Sequence, residues 1–113
     1  MSNIKNKVQL IGNLGDNPKI TTLDSGKKIA NISLATNEVF KNDNGEKVTK
    51  TEWHNLTAWN KTAEIIEKYL KKGSQIAIEG KLTTRSYEDK DGIKRYFTEI
   101  VVSELLMLDK KDS

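Results

Sequence analysis

Cysteine is absent from this 113-residue chain, and histidine and proline each occur once, at positions 54 and 18. Without a thiol there is no disulfide framework, no thiolate metal ligand and no thiol nucleophile, which agrees with a reducing compartment. A lone histidine lacks the companions that a metal site or a nucleophile-base pair requires. Nowhere do about 18 apolar residues follow one another, as a membrane-spanning helix needs. The opening stretch Met1-Ser2-Asn3-Ile4-Lys5-Asn6-Lys7 carries no apolar core of a signal peptide. A cytoplasmic protein is therefore expected, with no membrane partner, no cofactor and no metal. An enzyme such as a nuclease would need clustered carboxylates for metal ions. Glu88, Asp89 and Asp91 stand close together, but alternating Lys90 and Lys94 make them read as a solvated hairpin tip in which Arg95 pairs with the acids.

What the chain does have is charge. Charged residues make up 31% and apolar ones 35%, with a mean hydropathy of −0.64, which suits a single small domain with a thin core, such as a β-barrel or a protein that buries more surface by association. The net charge of +3 is by itself a weak pointer to a polyanion.

Both tryptophans fall within Thr51-Glu52-Trp53-His54-Asn55-Leu56-Thr57-Ala58-Trp59. Strand alternation puts Trp53, Asn55, Thr57 and Trp59 on one face and Glu52, His54, Leu56 and Ala58 on the other. Two indoles thus share the more polar face, with Lys50 and Lys61 just outside. They offer flat rings to something flat that carries negative charge, as nucleobases on a phosphate chain do. Large aromatics are also ordinary core residues, and alternation alone weighs the two readings evenly. Leu56 and Ala58 tilt the balance by already supplying a core-facing side.

Periodicity and punctuation predict strands over 4–14, 28–40, 48–59, 75–87 and 93–108, with a short edge strand at Thr21-Thr22-Leu23. Gly12-Asn13-Leu14-Gly15 predicts a bulge or bend, and Asp16-Asn17-Pro18 an end to pairing. Asn44-Gly45 predicts a hairpin within 41–47, and Glu88-Asp89-Lys90-Asp91-Gly92 a second turn. One helix is predicted over 60–73, capped by Asn60 or Thr62 and ended by Gly73. Three strands, a helix and two strands, taken as an all-antiparallel sheet, is the order of the five-stranded Greek-key OB-fold, an all-β barrel with its helix between strands three and four.

The segments Asn6-Lys7-Val8 through Gly12-Asn13-Leu14-Gly15, Asn31-Ile32-Ser33-Leu34-Ala35-Thr36, Thr51-Glu52-Trp53-His54, Tyr69-Leu70-Lys71-Lys72-Gly73-Ser74 and Ile78-Glu79-Gly80 resemble, in order and spacing, the bacterial single-stranded DNA-binding protein family. The resemblance runs over roughly residues 3 to 108. It implies an OB-fold domain over 1–108 and a short tail over 109–113. It also implies sequence-independent binding and protection of single-stranded DNA in replication, recombination and repair. The implied assembly is a homotetramer, with a dimer as the alternative. The stacking positions it implies are Phe40, Trp53, Trp59 and Tyr87. The commonest enterobacterial pattern has Trp at the equivalents of Phe40 and Tyr87 and Phe at that of Trp59, so all four remain aromatic here.

For phosphate contacts Lys7, Lys61, Lys72 and Arg85 are the favoured candidates, Arg85 because it shares a strand face with Tyr87. Lys71 and Lys72 would also answer the helix dipole. His54 matches a histidine of subunit contacts, and the first strand, with Val8 and Leu10, matches the one that pairs between subunits. The family's long tail with its acidic, apolar tip has no counterpart in Asp112-Ser113. Recruitment of replication and repair proteins is therefore not implied, and a trimmed chain or a naturally short phage, plasmid or secondary bacterial copy is. An OB-fold protein-interaction module of the replication-restart type is the alternative function.

Overall fold

The computed structural model describes residues 4–108. The chain runs through a 3-10 turn at Ile4–Asn6, then β1 (Val8–Leu14), β2 (Lys19–Thr22), β3 (Lys28–Lys41), β4 (Lys47–Trp59), α1 (Asn60–Tyr69), β5 (Gln75–Glu88) and β6 (Lys94–Met107). The first strand starts later than its apolar pattern predicts. Where the ladder that includes Val8↔Gly80 would continue to Asn6 and Leu82, the Asn6 side-chain amide takes over, donating to the Leu82 carbonyl and accepting from its N–H, both at 2.9 Å. A side chain thus satisfies the β5 backbone and frees the main chain to turn.

β1 pairs with β5 on one edge and, through Asn13↔Ala35 and Leu14↔Leu34, with β3 on the other. β3 and β4 form a long hairpin from Ile29↔Trp59 to Lys41↔Lys47, and β5 and β6 another. The cycle β1-β5-β6-β4-β3-β1 closes a five-stranded barrel, with β2 added along the edge of β3 at the start of that strand. The sheet is not wholly antiparallel: β4 and β6 meet in parallel at Leu56↔Ile100 and Thr57↔Val101. α1 carries the chain across between β4 and β5, so the last strand reaches β4 running in the same direction.

Gly12 marks no bulge, since β1 stays in register with β5 from Val8 to Asn13, whereas Gly15, just past the strand, lies in a bend. The irregularity lies between Glu79 and Gly80, opposite Ser103, whose hydroxyl donates to the Glu79 carbonyl at 3.0 Å. Gly12 serves close approach instead, because a β-carbon there would sit 2.2 Å from the Ala35 carbonyl oxygen. Asp16-Asn17-Pro18 is unpaired as predicted, β1 having ended at Leu14, and β2 begins at the next residue.

The helix stops four residues short of Gly73. Leu70 is already extended (φ −105°, ψ 147°) and buried, so it leaves the helix to enter the core. Gly73, at φ +90°, belongs to the turn that follows, in which the Ser74 hydroxyl accepts the Lys71 N–H at 3.0 Å. Lys71 and Lys72 therefore lie beyond the helix end. Neither Asn60 nor Thr62 caps the start: Trp59 holds the cap position without a side-chain bond, and Asn60 turns the chain at φ +53°. Asparagine tolerates that left-handed conformation better than most residues.

Two hairpin loops share one construction. Asn42 Oδ1 accepts from the N–H groups of Asn44 and Glu46, and Asp89 Oδ1 accepts from those of Asp91 and Ile93. Gly45 and Gly92 supply the left-handed residue, at φ 77° and 76°. The hairpin connection predicted within 41–47 is thus found there, organised by Asn42.

Leu34, Leu56, Ile66 and Ile76 are the largest fully buried side chains and belong to one core cluster, to which α1 contributes Ala63 and Ile66. Each such side chain stabilises the fold by about 1.5–3 kcal/mol relative to exposure. α1 is also tied to β3 by Lys28 Nζ and Glu67 Oε1 at 2.6 Å. That hydrogen bond and the Glu67 charge raise the Lys28 pKa above its usual value. No helix among the described residues is long and apolar enough to cross a membrane.

Candidate nucleic-acid interface

Alternation in β4 separates the rings from Leu56 and Ala58 as the sequence suggests, but Thr57 on the ring-bearing face is buried and Glu52 on the other face is exposed. Leu56 and Ala58 are buried, while Trp53 is 60% and Trp59 43% exposed. Six residues of strand separate the two rings, about 20 Å at the usual rise. Between them, on the same face, stand Asn55 and Thr57, paired in register with Ser33 and Asn31 of β3. Phe97 and Glu99 of β6 and Arg85 of β5 complete the wall of a groove of about 450 Å³. Asp16, Asn17 and Lys19, from the β1–β2 connection and the start of β2, line it as well.

Each aromatic has its own setting. The Trp53 ring rests on Gly15, where a β-carbon would lie 2.3 Å from Cζ3. Trp59 ends β4 and leads into α1. Tyr87 is half-exposed near the tip of the β5–β6 hairpin, opposite Arg95, on the strand face that also carries Arg85. Arg95 in turn bonds Asp89 at 2.9 Å. Phe40 is equally exposed, but alternation places it on the face of the β3–β4 hairpin opposite Trp53.

The predicted cations are spread more widely. Arg85 lies at the groove with its guanidinium 5.0 Å from the Phe97 ring centroid. Lys61 projects from the first turn of α1 beside Trp59 and is exposed. Lys72 sits at the groove's margin, its backbone N–H donated to Asn17 Oδ1 at 2.8 Å. Lys7 is elsewhere, pairing with Glu79 at 3.1 Å beside Gly80, Lys81 and Val101. Hydrogen bonds from Gln9 and then Lys7 hold the Glu79 carboxyl below the usual carboxylate range.

Phe97, Glu99 and Lys19 were not among the predicted site residues. Phe97 and Glu99 share one parity in β6, a signal available to the same alternation argument that exposed Trp53. Among the described residues no group of three or more His, Cys, Asp or Glu side chains is placed to hold a metal ion.

The single-strand binding protein family matches residues 5–108. The chain belongs to this family. It is 50% identical over 109 residues to Single-stranded DNA-binding protein 1 of Chlorobaculum tepidum, covering 96% of this chain and 67% of the relative. Against the Single-stranded DNA-binding protein of Neisseria meningitidis serogroup A it is 46% identical over 103 residues, covering 91% of this chain and 59% of the relative. The chain thus spans between 59 and 67% of the length of these two relatives. Among solved structures, that of Plasmodium falciparum SSB in complex with ssDNA superposes with a TM-score of 0.84 at 37% identity, covering 92% of this chain and 95% of the other.

The positions expected at subunit contacts have a definite geometry here. Val8 and Leu10 are half-buried and lean on this chain's own core. What β1 turns outward is Ile11, 61% exposed, aligned through Ala77 with Leu106, 62% exposed. His54, on the core-facing side of β4, is half-buried with Nε2 3.0 Å from the Thr36 hydroxyl. The expected tail at 109–113 lies outside the described residues.

Proposed function

We propose that this protein binds and protects single-stranded DNA without sequence selection, serving replication, recombination and repair. The observation that carries the reading is the pair of solvent-facing indoles, Trp53 and Trp59, at either side of a polar groove on a closed barrel. Unpaired bases stack on such rings whatever their identity, because every base has a π-face. Tyr87 extends the path along the β5–β6 hairpin, and Phe40 provides a ring on the far side of the β3–β4 hairpin. Lys61 in the first turn of α1, Lys72 next to the groove-lining Asn17 and Lys7 farther round the barrel supply positive charge for the phosphate chain, releasing its counterions, while Arg85 stands in the groove itself. Duplex DNA is excluded because its bases are already stacked on one another. The protein acts by binding rather than by catalysis, in the cytoplasm.

A homotetramer, or a dimer, fits the outward strip of Ile11, Ala77 and Leu106. An exposed apolar row across three strands gains by being covered. Ile11→Asp is expected to lower the mass measured by light scattering. An unchanged mass would place the subunit contact elsewhere.

Titration with poly(dT), duplex DNA and RNA, followed by tryptophan emission, tests the function. Strong quenching by poly(dT) and none by duplex is expected. Trp53→Ala should weaken oligo(dT) binding by about 1–3 kcal/mol, roughly tenfold to a hundredfold. Equal affinity of parent and variant would remove Trp53 from the interface.

A further inference from the structure

A carboxylate lines the groove proposed for a polyanion. The Glu99 side chain is 13% exposed, so its charge is held at the groove wall and not swung out into solvent. Its Oε2 accepts the Thr57 hydroxyl at 2.5 Å, and its Oε1 lies 3.6 Å from Nε of Arg85. Arg85 is itself laid against the Phe97 ring. The remaining charges lining the groove are Asp16 and Lys19, so acids and bases cancel there. Asn31, Ser33, Asn55 and Thr57 supply neutral polar groups. A wall of that kind suits the edges and faces of bases better than phosphates. By contrast, Lys61 in α1 and Lys72 beside Asn17 enter no ion pair with the described residues.

We infer that Glu99 is an electrostatic restraint on Arg85, holding the guanidinium against Phe97 as a flat platform for a base and cancelling the charge that would otherwise neutralise a phosphate. The inference rests on the single-stranded DNA reading and refines the role of Arg85 within it. A cation whose charge is already balanced displaces no counterion from the strand, so Arg85 adds nothing to the salt dependence of binding. Glu99 is thus a positioning residue whose presence makes binding weaker than the groove allows.

Oligo(dT) affinity across a salt series, for the parent, E99Q, R85A and the double variant, tests this. Gln at position 99 retains an oxygen to accept the Thr57 hydroxyl, and Arg85 is largely exposed, so both single variants should melt like the parent. For R85A, binding is expected to weaken equally at every salt concentration, leaving the slope of log affinity against log salt where it was. E99Q should steepen that slope by about 0.7, one phosphate on a single strand. Its low-salt affinity should rise about two- to fivefold, the range expected when an exposed ion pair is released. In the double variant the steepening should vanish.

A slope made shallower by R85A would show Arg85 neutralising phosphate despite Glu99, and would overturn the inference. Steepening by E99Q that persists without Arg85 would do the same, since the lost carboxylate would then act alone. If E99Q misfolds, the R85A slope decides. Failure of the parent to bind oligo(dT) would instead bring down the functional reading beneath it. Parent binding with an unsteepened E99Q sinks this inference only.

Discussion

Gly15 and Trp53 touch: the bare α-carbon of the glycine seats the six-membered edge of the indole, and a β-carbon there would stand 2.3 Å from Cζ3 and 2.7 Å from Cη2. The seat is held in place by the Gly15 N–H, donated to the Ser33 carbonyl at 2.9 Å. Across the strand Trp53 faces only the small Ala35. A large ring is thereby oriented from below while most of its surface stays open, which lowers the ordering cost when a base lies on it.

Gly15→Ala should therefore act on binding more than on folding. The added methyl meets the far part of a side chain and not the backbone, so the indole can rotate away and the barrel survive. Oligo(dT) affinity is expected to fall about fivefold to thirtyfold, part of one stacking contribution, with little change in melting temperature. An unaltered affinity would mean that the seat does not matter to stacking.

With two tryptophans in the chain, each single replacement leaves one reporter. Trp53→Phe and Trp59→Phe both keep an aromatic face and should retain affinity within about tenfold. The indole that remains should still be quenched by poly(dT) in each case. Emission that ignores poly(dT) would place the surviving tryptophan outside the path of the strand.

Gly12→Ala should act on folding. Its β-carbon would meet the Ala35 carbonyl oxygen at 2.2 Å and the Leu34 Cγ at 3.2 Å, where backbone cannot move aside without parting β1 from β3. A loss of about 1–3 kcal/mol or more is expected, lowering the melting temperature by roughly 5–20 °C. A variant melting with the parent would show that the barrel closes without that contact.

Acid should loosen the β5–β6 hairpin through Asp89. The Arg95 hydrogen bond and then the N–H of Ile93 hold its pKa below the usual carboxylate value. A depressed folded-state pKa stabilises the fold above the unfolded-state value, and that contribution is lost as pH falls through the folded one. Asp89→Asn should consequently melt below the parent near neutrality, with the gap closing as pH drops beneath the ordinary carboxylate range. A gap of constant size down to strong acid would show that the charge on Asp89 contributes nothing.

Much of the architecture could be read along the chain because its signals are local. Alternation through Trp53–Trp59 separated the ring-bearing face from Leu56 and Ala58, and the glycine-bearing loops located both long hairpins. The helix end was not legible: Lys71-Lys72-Gly73 looks like a helix terminus, yet burial of Leu70 pulls the chain straight before it. Nor was the direction of β6 beside β4, which depends on where α1 delivers the chain. Glu99 passed as one more strand acid because its hydrogen-bond partner Thr57 lies on another hairpin, distant in sequence.

The order of amino acids alone determined which residues alternate, where the chain turns and which rings have a polar setting, since these follow from backbone periodicity over a few neighbours. Closure of the barrel decided the rest. It laid Trp53 on Gly15 and brought the Thr57 hydroxyl of β4 to Glu99 of β6 in the groove. Those relationships join positions tens of residues apart, and they exist only once hydrophobic burial has brought the strands into register.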